Sequence, residues 1–260
     1  MDTVMAGGKL TKLACVDPGE HAEYIRATHG HSVGLRELGG VVLLYQNAAV
    51  RNLHASAALS APVPWVSADL RILGGPGEPV GVCSGFGIGG PATAVIAEQL
   101  IALGAQRLIA VGTAGGLGTS VAVGDLILCE SAIRAEGVSH HYWEHGEPAR
   151  PTAGLTHKLL ERLRTTACRL HRGTSWTTDA LYRETREKAD EYARQGALVV
   201  EMEAAAFFAV GRYRDIECAA AFAVSDLLMP GRRTPRGARS DATATSLNTA
   251  VHAAISTLRN

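Results

Sequence analysis

Charge is scarce in this sequence, and neither sign prevails. Charged residues make up 19% of the chain, and 25 Lys and Arg balance 25 Asp and Glu. A zero net charge provides no electrostatic footprint for nucleic acid or an anionic membrane. Paired cysteines are missing too. Cys15, Cys83, Cys129, Cys168 and Cys218 lie far apart, and none forms a C-x-x-C. That spacing speaks against a zinc site or a disulfide framework and for isolated thiols in a reducing compartment. No apolar run approaches the roughly 20 residues of a membrane span. The N-terminal stretch lacks the apolar centre of a signal peptide, so the expected location is cytoplasmic. Repeats and low-complexity linkers are also absent.

What remains is an apolar, glycine-rich chain. Its 260 residues are 47% hydrophobic and include 29 glycines. That length suits one sizeable α/β domain, here expected over 1–260 with a divergent part at 1–75. Strand-like runs at 79–84, 107–112, 123–131, 197–202 and 218–226 alternate with helical stretches at 91–103, 155–168, 183–195, 203–213 and 241–258. Pro91 falls in a first helical turn, and Ser240 or Asp241 lies near an N-cap. This alternation predicts an α/β three-layer sandwich with a largely parallel or mixed central sheet. The run "VVLLYQNAAVRNL" reads as strand, helix, or one after the other.

Four short segments carry candidate chemistry. "GFGIGG" (85–90) has the G-x-G-x-x-G spacing between a strand and a helix. A dinucleotide fingerprint also needs an acid at the end of the next strand, and Val111-Gly112 offers none. The segment is either a turn whose amides approach a ligand or a plain turn. "VGTAGGL" (111–117) places Gly112, Thr113, Ala114 and Gly115 at the carboxyl end of a strand, where small residues leave room for a ligand. "VVEMEAAA" puts Glu201 and Glu203 around Met202 in apolar surroundings. A carboxylate can hold both hydroxyls of a vicinal diol such as that of ribose. The alternative is a capping glutamate in a first helical turn. Asp226, after "AFAVS", is either a proton donor at a strand end or a turn aspartate. "SHHYWEHGE" (139–147) has no helical pair with metal-ligand spacing, so no metal site is expected.

Taken in order, "GFGIGGPATA", "VGTAGGL", "VAVGDLILCESAIRAEGVSHHY", "VVEMEAAA" and "AVSD" resemble the nucleoside phosphorylase superfamily. That group includes uridine phosphorylase, purine nucleoside phosphorylase and methylthioadenosine nucleosidase. The segment 173–210 is most similar to the uridine phosphorylase-like branch. The resemblance runs from about residue 79 to 228. It implies a pentosyltransferase that cleaves the N-glycosidic bond of a ribonucleoside with phosphate, giving free base and ribose 1-phosphate. It implies no cofactor, with phosphate as co-substrate, a small-molecule nucleoside as partner, and a homo-oligomer. By the same resemblance Glu201, Met202 and Glu203 bind ribose, and Asp226 protonates the leaving base. Gly87, Gly112 and Thr113 lie on the phosphate or nucleophile side. Ala114, Gly115, Thr178, Asp179, Tyr182 and Arg186 lie on the base side, and Arg239 supports the acid or belongs to a lid.

The sequence departs from that pattern where phosphate should bind. The nearest match to the family's "PGDP-x-R" is "PGEHAE" (18–23), with Glu23 in the arginine position. Ala110 stands where a second arginine is expected, and a third has no counterpart. Either other arginines hold phosphate, with Arg26, Arg51, Arg232, Arg233, Arg236 and Arg239 as candidates, or water is the nucleophile, activated by Glu20 or Glu23. A third reading is a nucleoside-binding protein without turnover.

Overall fold

The computed structural model describes residues 14–30, 35–56, 59–63, 68–228 and 241–259. Helix α1 (Pro18–His29) precedes strand β1 (Gly40–Leu44), which leads directly into α2 (Asn47–Ser56). A hairpin of β2 (Asp69–Leu73) and β3 (Val80–Ser84) follows, then α3 (Gly90–Ala102) and β4 (Arg107–Gly116). The chain continues through β5 (Leu126–Ala135), α4 (Ala153–Arg164), β6 (Leu170–Thr178), α5 (Arg186–Arg194) and β7 (Ala197–Glu201). It closes with α6 (Ala204–Arg214), β8 (Glu217–Leu227) and α7 (Asp241–Leu258). The ambiguous run of the sequence is thus a strand and then a helix, and Tyr45-Gln46 form the joint.

The strands form one mixed sheet in the order β2-β3-β1-β4-β7-β6-β5-β8, with β4 also paired to β8. The β3–β1–β4–β8 run is parallel, as is β5–β6–β7. Antiparallel contacts between β4 and β7 and between β5 and β8 join the two groups. Five strands therefore close on themselves, and the carboxyl half of β4 lies between β8 and β7. The closure brings Asp226 and Val200 to opposite sides of Gly115.

Each sheet face carries its own helix layer. One apolar cluster joins the sheet to α1, α3 and α6 through Ile25, Ile96, Leu100, Phe207 and Phe208. The other joins it to α2, α4 and α7 through Leu53, Leu159 and Val251. Helix α6 has no solvent stripe over its first two turns, because Ala204 to Gly211 are all buried. A helix enclosed in this way needs protein donors and acceptors for its ends. That requirement fixes the local design of the site.

Candidate active site

The amino end of α6 is capped by side chains from two strand ends. Glu201 Oε2 accepts from the backbone amides of Glu203 at 2.7 Å and Ala204 at 2.6 Å. Thr177 Oγ1 accepts from Ala205 N at 3.0 Å. The Thr177 hydroxyl and Ser175 Oγ donate to Glu201 Oε1 at 2.5 and 3.0 Å. A carboxylate offers about four lone-pair positions, and all four on Glu201 are occupied. Negative charge at this end is also favoured by the helix dipole.

Glu203 is loaded differently. Its Oε1 accepts from Gly89 N at 2.7 Å, and its Oε2 from Met202 N at 3.2 Å. One acceptor position stays open on each oxygen, which is what a vicinal diol requires. The Gly89 contact explains the glycine turn: φ is +90° at Gly89, a conformation that side-chain-bearing residues seldom adopt, and its amide is directed at Glu203. Burial pushes both carboxyls upward. Four donors oppose that push at Glu201. Glu203, buried beside the Glu201 charge, is pushed up to about 8. Met202 is half-buried, with its Cε near Gly89.

Asp226 is 6% exposed, and Ser225 Oγ donates to its Oδ1 at 2.7 Å. Its carboxylate lies against Gly115, where an added Cβ would sit 3.8 Å from Oδ1 and only 2.4 Å from Leu228 Cδ1. Ala114 and Gly115 are buried beside it. The expected acid and the strand that leads to the expected ribose carboxyl therefore flank the end of β4 from two sides.

Two residues missed in the sequence complete the cluster. Leu44 pairs with Val111 in parallel register, so Tyr45 and Gln46 follow beside Gly112 and Thr113. Gln46 Nε2 donates to Thr113 Oγ1 at 3.0 Å, and Gln46 Oε1 is buried without a partner. The Tyr45 ring lies over Gly112, where a Cβ would meet Cδ2 at 3.2 Å, and its hydroxyl bonds Thr93 Oγ1 at 3.2 Å. Burial, reinforced by Glu203, raises the phenol well above its ordinary value. A polar pair directly after the apolar run "VVLL" is the signal that could have found them.

The remaining expected positions spread out. Gly87 lies in the glycine turn with φ +93°. Thr178 is buried at the end of β6 and accepts from Ala180 N. Asp179 accepts from Gly137 N at 2.8 Å and so ties two loops together. Tyr182 is 93% exposed, and Arg186 is exposed at the start of α5, so neither joins the cluster in this chain. The "PGEHAE" segment opens α1, ahead of β1, with Glu20 and Glu23 exposed. Arg26 bonds the Ala102 carbonyl, and Arg51 is exposed on α2. Arg232, Arg233, Arg236 and Arg239 lie outside the described residues. Among the described residues no arginine or lysine bonds Thr113, Glu201 or Glu203. No cluster of three potential metal ligands occurs among them either, and no helix is long and apolar enough to cross a membrane.

Comparison with known proteins gives a consistent picture. Residues 68–259 match the profile of the phosphorylase superfamily. A guanosine phosphorylase of Halorubrum lacusprofundi is 32% identical over 165 residues, covering 64% of this chain and 67% of its own length. A uridine phosphorylase of Thermococcus kodakarensis is 39% identical over 106 residues, covering 41% of this chain and 38% of its own length. Among solved structures, a uridine phosphorylase of Vibrio fischeri superposes with a TM-score of 0.76 at 24% identity, covering 87% of this chain and 94% of the other. An AMP nucleosidase of Bacteroides thetaiotaomicron gives 0.72 at 20% identity, covering 91% and 95%. The two structures share the fold.

Proposed function

The chain belongs to the phosphorylase superfamily, and we propose that it cleaves the N-glycosidic bond of a ribonucleoside. One observation carries this reading. A carboxyl with one open acceptor position on each oxygen, Glu203, lies just past the end of β7, the strand that flanks Gly115 on the side opposite the buried acid Asp226. Bond cleavage builds positive charge on the ribosyl ring and negative charge on the leaving base. Glu203 holds the 2′ and 3′ hydroxyls and fixes the ring, which supplies part of the rate by orientation. Asp226 delivers a proton to the base as the bond opens. Met202 lines the ribose side, and Ala114 and Gly115 lie towards the base.

Relatives bearing the names guanosine phosphorylase and uridine phosphorylase support a pentosyl transfer to phosphate. Hydrolysis is the second reading, favoured because among the described residues no arginine or lysine bonds Thr113, Glu201 or Glu203. The protein acts as a homo-oligomer in this proposal. An apolar groove of about 630 Å³ between α1, α3 and the carboxyl end of α6, bordered by Val95, Pro91 and Tyr142, supports a self-association surface. The test is a panel of uridine, inosine, adenosine and guanosine, with free base quantified. Release of base from at least one is the expected result. No release from any, with nucleoside still bound, would leave a binding protein.

A further inference from the structure

Glu203 is the N-cap residue of α6. Its carbonyl accepts from Phe207 N at 2.9 Å, yet its side chain bonds none of the helix amides. An acceptor side chain at that position ordinarily turns to the amide two or three residues on. Two residues on is Ala205, and Thr177 Oγ1 already accepts from its amide at 3.0 Å. The amides of Glu203 and Ala204 go to Glu201 Oε2. The Glu203 carboxyl turns instead to the amides of Gly89 and Met202 and keeps one acceptor position open on each oxygen. Thr177 is fully buried, so it reaches no ligand itself. It stands on β6 in direct register with Glu201 on β7. A hydroxyl donates once and accepts twice. Thr177 uses both capacities, donating to Glu201 Oε1 at 2.5 Å while it accepts from Ala205. One oxygen atom thus ties the Glu201 carboxyl to the first turn of α6. Ser175, two residues earlier, bonds Glu201 and Cys129 but makes no such bridge to the helix.

We propose that Thr177 is a positioning residue for sugar recognition: by capping α6 in place of Glu203, it keeps the Glu203 carboxyl turned away from its own helix and open to the ribose diol. The inference rests on the cleavage reading above, in which Glu203 holds the 2′ and 3′ hydroxyls. Without the Thr177 hydroxyl, the buried amide of Ala205 loses its acceptor, and a buried donor left unmet draws in whatever acceptor can reach it. The N-cap carboxyl of Glu203 is the acceptor placed to answer. Each oxygen it commits to its own helix is withdrawn from the sugar.

The experiment takes whichever of uridine, inosine, adenosine and guanosine the wild type cleaves, and reads its KM and the Ki of its 2′,3′-dideoxy analogue. Wild type should give a Ki at least about tenfold above KM, the worth of one hydrogen bond to a carboxylate. In Thr177→Val, KM should rise about tenfold while Ki stays constant. Thr177→Ser keeps the hydroxyl and should restore the wild-type KM. A second readout follows the charge. Burial pushes Glu203 up to about 8, so stability falls as pH rises towards that value. A bond from a helix amide favours the carboxylate, so this fall should shrink in Thr177→Val. A merely structural residue would lower the melting temperature at every pH and leave the ratio of Ki to KM alone. A folded Thr177→Val that keeps the wild-type ratio overturns the inference and leaves the cleavage reading standing. If Thr177→Val does not fold, Thr177→Cys decides, because a thiol keeps the shape with only a weak acceptor. An unchanged ratio in that variant overturns the inference, as does failure of both variants to fold. Equal Ki and KM in wild type would place the diol away from Glu203 and overturn the inference together with the ribose role beneath it. Absence of base release from every nucleoside overturns both the inference and the cleavage reading.

Discussion

Glu201 and Glu203 lie two residues apart at the amino end of α6, and their carboxyls carry unequal loads: four protein donors end on Glu201 and two on Glu203. The asymmetry divides their roles. Glu201 is structural and holds the helix start and the Glu203 backbone in place. Glu203 keeps the open acceptor positions and the less favourable ionisation.

That division sets a pH dependence of stability. Glu203 rises from its ordinary value of 4.5 to about 8 in the folded chain. Between these values the folded protein keeps a proton that the unfolded chain has lost. Stability is therefore full below the lower value and falls as pH rises towards the upper one, by up to about 1.4 kcal/mol per pH unit. Melting temperature measured from pH 5 to about pH 8 should decline in wild type. Glu203→Gln should flatten that part of the profile, and an unchanged slope would remove the assignment.

Replacing Glu201 tests the other half. Glu201→Gln leaves one amide oxygen where two carboxylate oxygens received four donors, so buried N–H or O–H groups lose partners. The expected destabilisation is about 1–3 kcal/mol in chemical denaturation. Removing the neighbouring charge should also move the Glu203 transition to lower pH. A variant as stable as wild type would mean that the four donors do not depend on the Glu201 carboxyl.

Recognition of ribose should depend on Glu203. Glu203→Ala is expected to weaken binding of a ribonucleoside on the order of tenfold to a hundredfold, the worth of one or two hydrogen bonds to a carboxylate. Binding of the 2′,3′-dideoxy analogue should barely change. Calorimetry with both ligands reads the difference, and equal losses would place the diol elsewhere.

Asp226→Asn separates proton transfer from binding. The amide preserves the shape but supplies no acid, so kcat should fall on the order of 10² to 10⁴-fold while the nucleoside KM stays nearly constant. A parallel rise in KM with kcat unchanged would reassign Asp226 to substrate binding.

The apolar groove makes a prediction about assembly. Val95 is 53% exposed on α3 at the groove edge. Val95→Glu places a charge on that face and should shift the assembly towards monomer in light scattering. An unchanged molar mass would move the association surface away from α3.

Local pattern carried much of this protein into view. Helix α3 was legible because Pro91 opens a run that stays helical to Ala102, and β8 because 218–226 is apolar and small throughout. Local pattern also placed Asp226 at a strand end, and the order of the glycine and glutamate segments pointed to the family. The same pattern left "VVLLYQNAAVRNL" open, because a five-residue strand running straight into a helix has too little period to separate the two. It also matched "PGEHAE" to a phosphate motif, and that segment opens α1. Which of Glu201 and Glu203 stays available to a ligand depends on Ser175, Thr177 and Gly89, residues from 24 to 114 positions away in sequence. The pairing of β6 with β7 and the packing of α3 on α6 bring those donors to the end of β7. The sequence by itself determined the types of group present and the strands that bear them. The tertiary structure decided their charge and availability, because hydrogen-bond donors and burial act through space.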